Sequence, residues 1–155
     1  MMHLKSKAQN VIEFSFVFLV IMSIFLSIIE LTLFWRARFS VANIANEIVA
    51  NTQIAAQNAN SESDVVLCAL NSLKKSAGLV NLSDSAFSSS GSNGSYRISS
   101  NFTKAGSPAL VALLNINNLE RGDISAGVVY MYTGIFLFRE GRAVSSGAVQ
   151  SVQKY

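Results

Sequence analysis

The feature that most constrains this chain is a long apolar run near its N-terminus. The run extends from Val11 to Phe34 and is almost uninterrupted hydrocarbon. At about 1.5 Å of rise per helical residue it spans about 36 Å, which exceeds the thickness of a bilayer core, about 30 Å. The sequence therefore predicts a transmembrane helix over residues 9–38.

Glu13 is a carboxylate close to the first edge of this run. An ionisable side chain in a membrane segment costs a few kcal/mol unless it finds a partner. A plain membrane anchor has no reason to carry such a group. We therefore expect the partner of Glu13 in another chain or at a newly created N-terminus.

The residues around Glu13 form a recognisable pattern. The basic segment MMHLKSKA ends at the small residue Ala8, and Glu13 is the fifth residue after it. The apolar run follows, with Glu30 in SIIELTLF near its far end, and an Asn/Ala-rich stretch continues it. This pattern resembles the N-terminus of type IV pilin-like proteins, in particular the TadE/TadF-type pseudopilins of tight-adherence (Flp) pilus systems. The resemblance covers about the first 60 residues.

The resemblance implies a processing step. Residues 1–8 would form a leader peptide, and a prepilin-type peptidase would cut between Ala8 and Gln9. The new amine of Gln9 is a candidate for N-methylation. Glu13 and Glu30 are implied as subunit-assembly residues. We expect replacement of Glu30 by leucine to be the milder change, because Glu30 lies near the end of the run and close to interfacial water.

The same resemblance implies where the chain works and what it contacts. A pilin-type peptidase acts on the cytoplasmic face, so the chain would cross the bacterial inner membrane once, with its N-terminus inside and residues beyond Phe39 outside. The implied function is that of a minor structural subunit in the assembly or priming of a pilus or a related secretion or adhesion filament. The implied partners are the peptidase, other pilin or pseudopilin subunits and the assembly platform.

Two other interpretations remain open from the sequence. Charge alone does not orient the helix, since two lysines precede it and Arg36 and Arg38 follow it. A secretory signal peptide cleaved near Ala42 is disfavoured, because the run is about twice the usual 7–15 residues and two arginines follow it. The main alternative is an uncleaved single-pass protein whose extracytoplasmic head binds a partner.

Beyond the membrane, the sequence predicts that the helix continues over residues 39–60 as an amphipathic extension. A second, shorter helix is predicted over residues 63–77, with Ser63 as its N-cap and Gly78 just past its end. The residues of the extension that recur at helical spacing form a single stripe, namely Val41, Ile44, Ala45, Ile48, Val49 and Thr52.

Residues 61–155 are predicted to form one small α+β head, in which a small antiparallel sheet lies on the emerging helix. The serine-rich stretch SSSGSNGS over residues 88–95 is predicted to be a loop, and residues 96–102 a short strand. The segment after Pro108 fits a helical turn or a strand equally well. A chain of this size leaves room for one soluble domain at most.

The clearest predicted strand covers residues 128–138, where β-branched and aromatic side chains alternate. Both of its faces are apolar, so it should lie inside the sheet and its Tyr and Phe side chains should belong to the core. Glu140 and Gly141 are predicted to turn the chain into a C-terminal hairpin with residues 143–149.

The sequence argues against an enzyme. His3 is the only histidine and lies in the leader, so the mature chain has none for a catalytic triad, a general base or an ordinary zinc site. It contains no phosphate-binding glycine motif and no nucleophile elbow. Glu120 and Asp123 form a close acidic pair that is better interpreted as a solvated turn than as a calcium site. We predict no catalytic residue, no metal and no cofactor.

Cysteine and charge exclude two further classes. Cys68 is the only cysteine, so an internal disulfide is impossible, and we interpret it as a small apolar residue of a helix. The formal net charge is +3, and Lys5 and Lys7 in the leader supply most of it, so we predict no nucleic-acid partner. Trp35 follows the apolar run, where an indole commonly occupies the membrane interface.

Overall fold

The structure is a computed structural model that describes residues 2–58, 61–82, 85–117, 121–135 and 137–153. It consists of one long helix, a second short helix and an antiparallel sheet. This α+β architecture agrees with the fold class that the sequence predicts.

The long helix, α1, covers Met2–Asn58 without a break. It contains neither glycine nor proline, so no residue in it favours a kink or a break. In its apolar half the hydroxyl groups of Ser15 and Thr32 donate hydrogen bonds to the helix's own carbonyls, which satisfies these polar groups without water. Among the described residues, α1 is the one helix long and apolar enough to cross a membrane.

The exposure of α1 changes along its length. From Val11 to Leu33 its large apolar side chains are mostly exposed, whereas one face is buried from Ala37 onwards. This agrees with the predicted amphipathic extension, which the structure follows to Asn58; residues 59–60 lie outside the described part. The buried face consists of Ala37, Val41, Ile44, Ala45, Ile48, Val49, Thr52 and Ala56.

The second helix, α2, covers Glu62–Ser76 and packs against α1. Ser61, with extended backbone angles, occupies the N-cap position, two residues earlier than the predicted cap at Ser63. At the other end, Ser76 Oγ donates a hydrogen bond of 2.6 Å to Glu47 Oε2 of α1. This bond fixes the end of α2 beside the middle of the extension.

The rest of the chain forms a short 3₁₀ turn followed by seven strands. In chain order these elements are the 3₁₀ turn Ala77–Val80, β1 (Phe87–Ser92), β2 (Ser95–Ser100), β3 (Thr103–Lys104), β4 (Ser107–Pro108), β5 (Leu110–Ile116), β6 (Arg121–Tyr132) and β7 (Arg142–Gln153). Five of the strands form an antiparallel sheet in the spatial order β1-β2-β5-β6-β7, and β3 and β4 form a separate two-residue ladder.

One face of the sheet packs on the two helices, with β6 and β7 against α1 and β5 against α2. Alternate side chains of each strand point to this face. Together with the two helices they form a single core. β6 lies between β5 and β7, as predicted for this strand. The alternating buried residues are Leu110, Ala112, Leu114 and Ile116 of β5, and Ile124, Ala126, Val128, Tyr130 and Tyr132 of β6.

The predicted loop over residues 88–95 is wrong, because most of this stretch forms the β1–β2 hairpin. Asn93 and Gly94 both have positive φ, 54° and 80°, as a two-residue type I′ turn requires. β1 is an edge strand in which Phe87 packs against the core, and its serine-rich remainder is held by backbone pairing with β2. The periodicity of apolar residues therefore gave no indication of it.

The predicted strand over residues 128–138 is displaced along the chain, since β6 begins earlier, at Arg121, and ends at Tyr132. Residues 133–141 form a connection that we call the β6–β7 loop; Phe136 lies outside the described residues. The predicted C-terminal hairpin is present. Glu140 and Gly141 lie in a tight turn, in which Gly141 N–H donates a hydrogen bond of 3.0 Å to Phe138 O, but this turn is only the last part of the β6–β7 loop. The undecided segment after Pro108 is the strand β5.

Candidate functional site

The two carboxylates of the apolar half of α1 lie in different surroundings. Glu13 is exposed, and its Oε1 accepts a hydrogen bond of 3.2 Å from Nε2 of Gln9, one helical turn earlier. Ala8 and Gln9 are both helical, so the proposed cleavage bond lies within α1. The structure thus brings Gln9 and Glu13 together on one face of the helix.

Glu30 is buried, with 6% of its surface exposed. Its carboxylate accepts hydrogen bonds from two consecutive backbone N–H groups of the β6–β7 loop, 2.6 Å from Leu137 N and 3.2 Å from Phe138 N. The expectation that Glu30 lies close to interfacial water is therefore wrong. The loop covers this carboxylate and supplies the donors that a buried charge requires.

Gly134 permits the close approach of this loop to α1. A Cβ atom added at Gly134 would overlap Glu30 Oε1. The backbone N–H of Gly134 donates a bond of 3.1 Å to Phe138 O, which closes the loop on itself. A residue larger than glycine would require the Glu30 carboxylate or the loop to move.

Three aromatic rings pack together beside the contact between Glu30 and the β6–β7 loop. Phe34, one turn after Glu30, stacks on Phe138 with ring centroids 4.8 Å apart and meets the edge of Tyr132 at 5.6 Å. Burial, and then the charge of Glu30, raise the pKa of the Tyr132 hydroxyl above its ordinary value. We name the set of Glu30, Phe34, Tyr132, Gly134 and Phe138 the Glu30 clasp.

Comparison with protein-family models, with curated proteins and with solved structures gives no match for this chain. The assignment of a role therefore depends on the residues themselves.

The head shows no sign of metal chemistry in the residues that the structure describes. Within them no three His, Cys, Asp or Glu side chains lie close enough together to hold a metal ion. Asp123 is exposed in β6, and Glu120 lies outside the described part. Cys68 is half-buried, with its Sγ 3.5 Å from Asn51 O, so it packs between the helices.

A second polar contact joins α2 to the sheet at the far end of the head. The hydroxyl of Tyr96 donates a hydrogen bond of 2.6 Å to Glu62 Oε2. This bond to the carboxylate raises the pKa of the Tyr96 hydroxyl. The contact lies far along the chain from the clasp and has a structural role.

The sequence reasoning missed the Glu30 clasp, although one signal for it was present. An isolated glycine within an apolar, strand-like run often marks a place where another group approaches the backbone closely. Gly134 is such a glycine. The sequence does not identify Glu30 as the group that approaches it.

Proposed function

We propose that this chain is a pilin-like minor structural subunit, held in the bacterial inner membrane by α1 and active in the assembly or priming of a pilus or a related secretion or adhesion filament. The observation that carries this proposal is the exposed carboxylate of Glu13 on an otherwise apolar helix, one turn after the bond at which the chain would be cut. A head packed on the far half of the same helix is compatible with this role.

The spacing of Gln9 and Glu13 supports the proposal in detail. If the chain is cut before Gln9, its new amine lies one turn, about 6 Å along the axis, from Glu13. A positively charged amine at that position would neutralise the carboxylate, in the same subunit or in an adjacent one. This partner explains why a carboxylate is tolerated in the membrane segment.

The second candidate is an uncleaved single-pass protein whose head binds a partner. The hydrogen bond from the Gln9 side chain favours it, because this bond already gives Glu13 a neutral partner within the uncut chain. The two candidates differ in whether Gln9 becomes the first residue of the accumulated protein.

Processing is the direct test of the proposal. The intact mass of the protein from native membranes is expected to correspond to a chain that begins at Gln9, with or without one methyl group. In an Ala8→Leu variant the bulky side chain is expected to block the cut, so that the full-length mass appears. A wild-type chain that begins at Met1 or Met2, or beyond Ala42, would contradict the pilin-like role.

Topology provides an independent test. Ser90 is exposed in the edge strand β1, so Ser90→Cys in a Cys68→Ser background offers one accessible thiol. We expect an impermeant thiol reagent to label it as soon as the outer barrier of the cell is opened. Labelling only after lysis of the inner membrane would place the head in the cytoplasm and reverse the proposed orientation.

A further inference from the structure

A cleft of ≈ 690 Å³ lies between α1 and the head, beside the β6–β7 loop. One wall is the helix face that carries Leu26, Ile29 and Leu33, and the other wall includes Ile135 of the loop. These side chains are about half exposed on α1, and Ile135 is 92% exposed. At its bilayer end the cleft is therefore an apolar groove that is continuous with the membrane-facing surface of α1.

Two cations also line the cleft, Arg36 of α1 and Lys104 of the head. Arg36 is ten residues after Leu26 on α1 and therefore marks the end of the cleft opposite Leu26. Lys104 Nζ donates a bond of 2.8 Å to the Tyr130 hydroxyl and lies 5.0 Å from the centre of that ring. An ammonium group has three N–H donors, so Tyr130 orients Lys104 and leaves two donors for a further acceptor.

The distance between the two ends matches one leaflet of a bilayer. Leu26 and Arg36 are separated by about 15 Å along the helix axis, which is half of a hydrocarbon core of about 30 Å. Arg36 thus lies at headgroup level when Leu26 lies near the bilayer centre. Trp35 is next to Arg36 and about half exposed, a position typical of the membrane interface.

Glu30 also lines the cleft and needs to be considered, because it carries the opposite charge. Its carboxylate accepts hydrogen bonds from the backbone N–H groups of Leu137 and Phe138, within the Glu30 clasp. It lies about 9 Å nearer the bilayer centre than Arg36. The anion-binding end of the cleft is therefore the end at Arg36 and Lys104.

We propose that this cleft binds an anionic phospholipid from the leaflet adjacent to the head. Arg36 and Lys104 hold its phosphate, and one acyl chain lies along Leu26, Ile29 and Leu33 beneath Ile135. The proposal rests on the membrane insertion of α1 stated under the proposed function. Arginine and lysine are the usual ligands of phosphate groups in proteins.

The shape of the cleft favours a lipid over a free anion. A soluble phosphate would use only the cationic end, and the apolar groove at Leu26 and Leu33 would remain uncovered. A phospholipid of the adjacent leaflet satisfies both ends at once, and the bilayer supplies it at high local concentration. Its binding would fix the height and tilt of the head relative to the membrane.

The test uses the full chain reconstituted in bilayer discs with equal amounts of phosphatidylglycerol and phosphatidylcholine. After mild detergent extraction, the lipid that remains bound is identified by mass spectrometry. We expect phosphatidylglycerol to be enriched over phosphatidylcholine. We expect this enrichment to be about tenfold lower in the Arg36→Gln/Lys104→Gln variant. The single variant Arg36→Gln changes an exposed residue and is expected to lose part of the enrichment. It tests the same site if the double variant does not fold.

A matched control removes the same charge elsewhere. Lys74 and Lys75 are exposed in the last turn of α2, and Lys74→Gln/Lys75→Gln should retain the full preference. An equal loss of phosphatidylglycerol enrichment in this control would show that the lipid is held by general charge attraction and not by a specific site. Displacement of the lipid by added inorganic phosphate would identify a free anion as the ligand, and a lipid-free dimer would identify a second copy of this chain; either result overturns the proposal.

The same experiment separates this inference from the proposed function. Protein that enters the discs and retains both lipids equally overturns the lipid site alone. Protein that stays outside the discs overturns the membrane insertion and the lipid site together.

Discussion

Replacement of Glu13 by leucine is expected to leave membrane insertion intact and to abolish filament assembly. In the proposed subunit, the amine of Gln9 and the Glu13 carboxylate neutralise one another among packed helices. Coulomb attraction there far exceeds its value in water, although desolvation offsets much of the gain. Removing the carboxylate leaves the amine without its partner, and breaking such a pair from one side typically costs about 3–5 kcal/mol.

The measurement is the amount of assembled filament in cells, with the amount of variant protein in the inner membrane as the reference. Ser15→Leu is a matched control, because it also replaces a polar residue by leucine in the same exposed region of α1 without changing a charge. We expect this control to assemble normally. In an uncleaved anchor, Glu13→Leu would remove a costly charge and leave the protein as functional as before, so full assembly by Glu13→Leu would contradict the proposed function.

The sequence predicted the features of this fold that depend on local periodicity. In the apolar run of α1, in the stripe that begins near Val41 and in the second helix, the spacing of apolar residues is visible within one continuous segment. No contact with a distant part of the chain is needed to recognise it. The interior position of β6 was predictable for the same reason, because both of its faces are apolar.

The strand β1 was missed because its serine-rich stretch carries almost no apolar signal. This stretch is held by backbone hydrogen bonds to β2, and its composition resembles that of a loop. The adjacent Asn93 and Gly94 were the one local signal, since both adopt positive φ in the turn. The serine-rich composition of the surrounding residues nevertheless favoured a loop.

The Glu30 clasp was missed because its two halves lie far apart in the chain. Glu30 and Leu137 are 107 residues apart, so no local pattern links them. From the sequence alone, a glutamate at the end of a membrane helix is expected to reach water. The head changes this outcome by folding its β6–β7 loop over the carboxylate.

The clasp leads to the second large expected effect, a loss of stability in Glu30→Leu. Leucine accepts no hydrogen bond, so the N–H groups of Leu137 and Phe138 would lose their acceptor. Leaving buried donors unsatisfied costs about 1–3 kcal/mol each, and we expect the head to be destabilised by about 2–4 kcal/mol. The change should lower the Tm of the full chain in detergent by roughly 10 °C. Hydrogen exchange should show faster exchange at these two amides.

Two comparisons determine whether the hydrogen bonds or the packing carry this effect. Glu30→Gln keeps one acceptor oxygen and the same shape, so it should be less destabilised than Glu30→Leu. Gly134→Ala places a methyl group against Glu30 Oε1 and should displace the carboxylate or the loop, which breaks their hydrogen bonds, whereas Gly127→Ala in β6 meets no atom within 4 Å and should be close to neutral. If Gly134→Ala and Glu30→Leu retain wild-type Tm and amide protection, the β6–β7 loop does not depend on Glu30. If both lose them while Gly127→Ala does not, the carboxylate holds the head to α1, because the two variants disrupt the same contact from opposite sides.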